Sequence, residues 1–272
     1  MVLLLACAAP DVTPDSAFLA PSVVRRLTTG EIDNILGDVL HDPRRPAATF
    51  LPQDVSPPFD NIAVSQVVSR ASVEGASLLA ADVSSELAAH PDRLAAIVPC
   101  AVNDACYADF VHGIGRRLIR RSASNAEVSA LVDAAVTTHP GDPAAAYGFL
   151  VEVLLQDPEL LFQVEREPAG TDPIVAISSQ EAANRLALVL WGSAPDDSLL
   201  QAADLGLLAD STERARIASA MLEDPRALRQ MQAFHAAWLG YDVAPPGMYL
   251  FEADGLSEAE ATTIAAGIRQ ET

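Results

Sequence analysis

Proline placed directly after aspartate or histidine recurs along this chain and constrains its fold more than any other feature. The pairs are Asp42-Pro43, His90-Pro91, His139-Pro140, Asp142-Pro143, Asp157-Pro158 and Asp224-Pro225. An aspartate side chain accepts hydrogen bonds from the free amides of a first helical turn. Proline has no amide proton to lose there and fits the first helical position. Each pair is therefore expected to start a helix, and between the pairs the apolar residues recur at helical spacing. Hydrophobic residues make up 50% of the chain but aromatic residues only 5%, so Ala, Leu and Val must supply the core. Such side chains suit helices that approach closely. The expected fold class is all-α, a multi-helix bundle of two to three packed helical subdomains.

Segment by segment, Thr28 and Glu31 have capping-box spacing before a stripe of Ile32, Ile35, Leu36, Val39 and Leu40. A Pro-rich loop is expected from Pro43 to Ile62, then a helix from Val64 to Ala89 whose middle is weakened by Gly75. Helices are predicted over 107–121, 126–137 and 144–155, and 160–165 reads as a strand or a further helical turn. The stretch 168–173 has the composition of a linker. Ser178 or Ser179 then caps a helix ending near Trp191-Gly192, Ser193 to Asp197 turn into another, and 214–222 and 226–239 follow. The sequence stops at Thr272 still in helical pattern, which reads as a truncated C-terminus. The division expected is a leader remnant and tether (1–22), an N-terminal helical domain (23–95), a domain with paired cysteines (96–168) and an incomplete C-terminal domain (174–272).

Charge removes several functions. The formal net charge is −20, with 37 acidic residues against 17 basic ones, and the basic residues are all arginine. A field of that sign repels nucleic acid, so no nucleic-acid partner is expected. Without lysine there is neither a Walker-type phosphate loop nor a Schiff-base enzyme. The histidines (His41, His90, His112, His139, His235) are dispersed, Gly113-Ile114-Gly115 lacks a third glycine, and no nucleophile elbow occurs. No catalytic constellation, cofactor motif or metal-ligand set is found.

Location is indicated at the N-terminus. Leu4, Ala6 and Cys7 occupy the places of a lipoprotein processing signal, with Cys7 as the lipid acceptor, although the cationic start and most of the apolar run are missing. The Pro-rich residues after Cys7 suit an extended tether. The expected location is therefore the bacterial cell envelope, lipid-anchored, with Ala8 after Cys7 pointing towards the outer membrane. The remaining cysteines, Cys100 and Cys106, form a pair that an oxidising envelope would close into a short loop. Metal ligation with His112 as third ligand is the alternative, but it lacks a fourth ligand at a familiar spacing.

Three groups are candidates for binding. Arg116, Arg117, Arg120 and Arg121 fall at spacings that place them on one broad helix face. That face would hold a phosphate, a sugar acid or an acidic partner, or would pair internally with the chain's own carboxylates. Asp60 and Asn61 sit in the irregular loop, where either function or turn chemistry places such residues. Trp191 and Trp238 are expected in the core rather than on a sugar-stacking platform, and Asp196-Asp197 are expected to cap a helix.

Three stretches together carry a resemblance. The first is Arg25-Arg26-Leu27-Thr28 with Glu31 and Asn34, then Phe59-Asp60-Asn61. The second is Cys100, Cys106 and Phe110 followed by Arg116-Arg117-Leu118-Ile119-Arg120-Arg121. The third is Glu181, Arg185-Leu186, Leu190-Trp191-Gly192-Ser193 and Pro195-Asp196-Asp197, with Asp224-Pro225-Arg226 and Trp238-Leu239. In this order they resemble envelope proteins of planctomycetes and myxobacteria built from consecutive domains of unknown function numbered 1587, 1595 and 1592. Ala187 and Ser122 depart from the pattern, where serine and proline are common. The resemblance implies an envelope location and the company of c-type cytochromes, but no activity. The function expected is a non-catalytic binding or scaffold module. The alternative is part of an enzyme on envelope polymers or sugars whose site further C-terminal domains complete.

Overall fold

A computed structural model describes residues 24–52, 59–63, 66, 68–165 and 177–239, with single positions between 257 and 267. Cys7, the 1–22 tether and the 168–173 linker lie outside the described residues. The described chain is mostly helical, with one two-stranded antiparallel ribbon in which β1 (Arg25–Arg26) pairs with β2 (Phe162–Gln163). Among the described residues no helix is long and apolar enough to cross a membrane.

Helix α1 (Thr29–Leu40) starts where the capping box places it. The Thr28 hydroxyl accepts from the Glu31 amide, and the Glu31 carboxylate accepts from the Thr28 amide. The apolar stripe of α1 is buried, with Ile32, Ile35, Leu36, Val39 and Leu40 fully shielded. The loop predicted from Pro43 to Ile62 contains a short helix, α2 (Ala47–Phe50), seated by the Asp33 carboxylate, which accepts from the Ala47 amide at 2.7 Å. Helix α3 (Arg70–Ala89) begins six residues later than the predicted Val64, because Ser69 caps it by accepting from the Ser72 amide. Gly75, expected to weaken α3, is where the end of α2 crosses it. A Cβ at that position would stand 2.3 Å from the Phe50 carbonyl oxygen.

After α4 (Pro91–Ile97), the predicted 107–121 helix is interrupted. It runs as α5 (Tyr107–Phe110), a π-turn (Val111–Gly115) and α6 (Arg116–Ile119), and Arg120 then stops it in the left-handed region at φ 55°. Helices α7 (Asn125–Thr138) and α8 (Pro143–Leu155) follow, capped by Ser124 and Asp142. The 160–165 stretch combines both expectations, since α9 (Pro158–Leu161) leads directly into β2. Two proline pairs do not start helices. Asp42 instead turns its fully buried carboxylate onto Arg44 and Arg93, and His139-Pro140 lies in the turn between α7 and α8.

Helices α10 (Ser179–Trp191), α11 (Asp197–Asp204), α12 (Ser211–Met221) and α13 (Pro225–Leu239) complete the described chain. Two apolar cores result. The larger runs from Leu27 through Leu160, takes in α1, α3, α6 and α8, and extends to Leu188 and Ala194 at the foot of α10. The smaller is built around Ala183, Ala187, Trp191, Leu199 and Leu208. Helix α10 contributes to both, so the two cores share a wall.

Candidate functional site

The arginine cluster does not form the single face its spacing suggests. Because the helix ends at Ile119 and Arg120 is left-handed, the four side chains diverge. Arg116 forks onto Asp204 of α11 at 2.8 and 2.7 Å and also donates to Gln180 of α10. Arg117 donates to the Asp38 carbonyl on α1. Arg121 reaches Glu127 and Glu159. Arg120 is 4% exposed and donates to three carbonyls, those of Glu159, Leu160 and Phe162, which closes the end of α9 and the start of β2. Its own carbonyl accepts from Gln180 and Asn184 of α10. The stretch is therefore a joint on which α6, α9, β2 and α10 converge.

Electrostatics follow from these partners. Burial lowers the Arg120 guanidinium to about 10, still charged at neutral pH. The Arg121 guanidinium, with the Ser124 amide and hydroxyl, holds the Glu127 carboxyl at about 2, and Arg116 holds Asp204 below the usual carboxylate range. A cavity of about 200 Å³ lies beside the joint, lined in part by Arg120, Arg121, Glu159, Glu165 and Asn184. Its charged walls face one another: Arg121 pairs with Glu159, and Glu165 pairs with Arg185 of α10.

A second seam joins α1 to the C-terminal helices. The Asn34 side-chain amide donates to the Gly192 carbonyl at 3.1 Å, and Arg229 of α13 forks onto Asp38 at 3.1 and 2.7 Å. Gly192 adopts φ 57°, which favours glycine, and the end of the Gln230 side chain occupies the space a Cβ would take. Asn34 and Gly192 both stood out in the sequence, but their meeting did not, because nothing local pairs residues so far apart. Asp38 carried no sequence signal at all.

Asp60 and Asn61 are exposed on a turn, and Gln66 donates to the Asp60 carbonyl. The preceding Phe59 stacks on Phe234 of α13, with ring centroids 5.5 Å apart and planes 13° from parallel. Phe234 lies near Trp238, which is 59% exposed, a correction to its expected place in the core. The reason is that α13 packs on α10 through its other side, leaving Leu228, Met231, Phe234 and Trp238 outward. Trp191 is buried, donates from Nε1 to the Met221 carbonyl, and carries the Arg226 guanidinium 3.5 Å above its ring. Asp196 caps α11 by accepting from the Leu199 amide and also pairs with Arg226.

Cys100 and Cys106 are joined to each other, their Cα atoms 6.4 Å apart, with the Tyr147 hydroxyl 3.4 Å from the Cys106 sulfur. His112 lies exposed on the π-turn, and among the described residues no group of three or more His, Cys, Asp or Glu is arranged to hold a metal ion.

Comparison with known proteins places one segment. Residues 177–249 match the profile of a family described as PSD4, protein of unknown function (DUF1592). That segment begins just before α10 and includes Trp191-Gly192 and the whole of α13. No curated protein and no solved structure matches the chain.

Proposed function

We propose that this chain is a lipid-anchored envelope protein, held at the outer membrane through Cys7. In this reading it acts as a rigid, non-catalytic helical scaffold in a periplasmic or cell-surface assembly that includes c-type cytochromes. The observation that carries the scaffold reading is the use made of Arg116, Arg117, Arg120 and Arg121. Their guanidinium groups connect α6 to α1, α7, α9, β2, α10 and α11. Multiple charge-assisted hydrogen bonds of this kind restrict relative motion of packed elements. The Cys100–Cys106 bridge supports the envelope location, since such bonds persist in oxidising compartments.

Two measurements test the reading separately. Expressed from its native gene in the host, the Cys7→Ser variant should move from membrane to soluble fractions, and unchanged membrane association would reject the anchor. Crosslinked pull-down of the native protein from its host's membranes should recover c-type cytochromes. Recovery of the bait alone would reject the assembly while leaving the anchor standing.

A further inference from the structure

We draw no further inference here: the strongest candidate, the exposed apolar face of α13 formed by Leu228, Met231 and Trp238 beside the Phe59–Phe234 stack, carries nothing because nothing in the structure shows what covers those three side chains.

Discussion

Replacing Arg120 by methionine tests the joint most directly, because it keeps an unbranched stem reaching about as far as Nε and removes the cation. Three carbonyls lose a charged donor. At about 1.5–3 kcal/mol for each hydrogen bond to a charged group, the loss amounts to roughly 4.5–9 kcal/mol. Against it stands the cost of burying the guanidinium, which pushes its pKa down to about 10. That cost, which methionine does not bear, and water entering from the adjoining cavity to solvate the freed carbonyls both bring the expected loss below the bottom of that range. The expected destabilisation is therefore about 3 kcal/mol, read as a shift of the urea midpoint at constant slope by far-ultraviolet circular dichroism.

Two controls separate the bonds from the backbone. Arg116→Met removes a fork onto Asp204, whose side chain is 57% exposed, and should cost less than about 1 kcal/mol. Arg120→Gly and Arg120→Ala both lose the three bonds, but the residue sits at φ 55°. Glycine should therefore be the more stable of the two by about 1 kcal/mol, the reverse of their order inside a helix. If Arg120→Met lies within about 0.5 kcal/mol of the parent, or costs no more than Arg116→Met, the reasoning that makes this arginine the joint is wrong.

Other perturbations have similarly definite outcomes. A double-mutant cycle on Asp38→Asn and Arg229→Gln should give a coupling of about 0.5–1 kcal/mol that shrinks with added salt, and purely additive effects would remove the seam's electrostatic role. Gly75→Ala should destabilise by about 1–3 kcal/mol, since its methyl group meets the Phe50 carbonyl, and a neutral result would mean α2 does not cross α3 there. Cys106→Ser should lower stability by about 2 kcal/mol under oxidising conditions and by nothing once reductant is present. The Glu127 carboxyl is held down from 4.5 to about 2, so its contribution is present above pH 4.5 and is lost as pH falls through 2. Melting curves across that window should fall less steeply for Glu127→Gln, and superimposable profiles would contradict the pairing with Arg121.

Much of the helical pattern was legible because it is written locally. A capping box needs only Thr28 and Glu31, or Ser178 and Glu181, three residues apart, and the structure forms both. The failures share a different cause. Spacing alone put Arg116 to Arg121 on one face, but a left-handed residue at the fifth position, Arg120, ends the helix, and sequence carries no strong signal for αL at arginine. The acceptors that draw Arg120 inward lie at 159–162, forty residues away, so its burial depends on tertiary packing that no periodicity encodes. Trp238 failed for a related reason: residue type predicts burial, but the side of α13 that meets α10 carries Arg226 over the Trp191 ring and Arg229 on the Trp191 carbonyl.

The charge imbalance gives these contacts a wider meaning. Only 17 arginines face 37 acids, and the described pairs commit Arg25, Arg44, Arg93, Arg116, Arg121, Arg226 and Arg229 to carboxylates of this same chain. Cations spent on internal pairs leave the uncompensated charge on the surface negative, and at separations beyond a Debye length of about 8 Å only that excess is felt. A partner approaching this protein meets an acidic field first, which disfavours anionic polymers and further copies of the chain. Neutral or cationic surfaces remain, and a cationic partner would be steered in by a field that weakens as salt is raised.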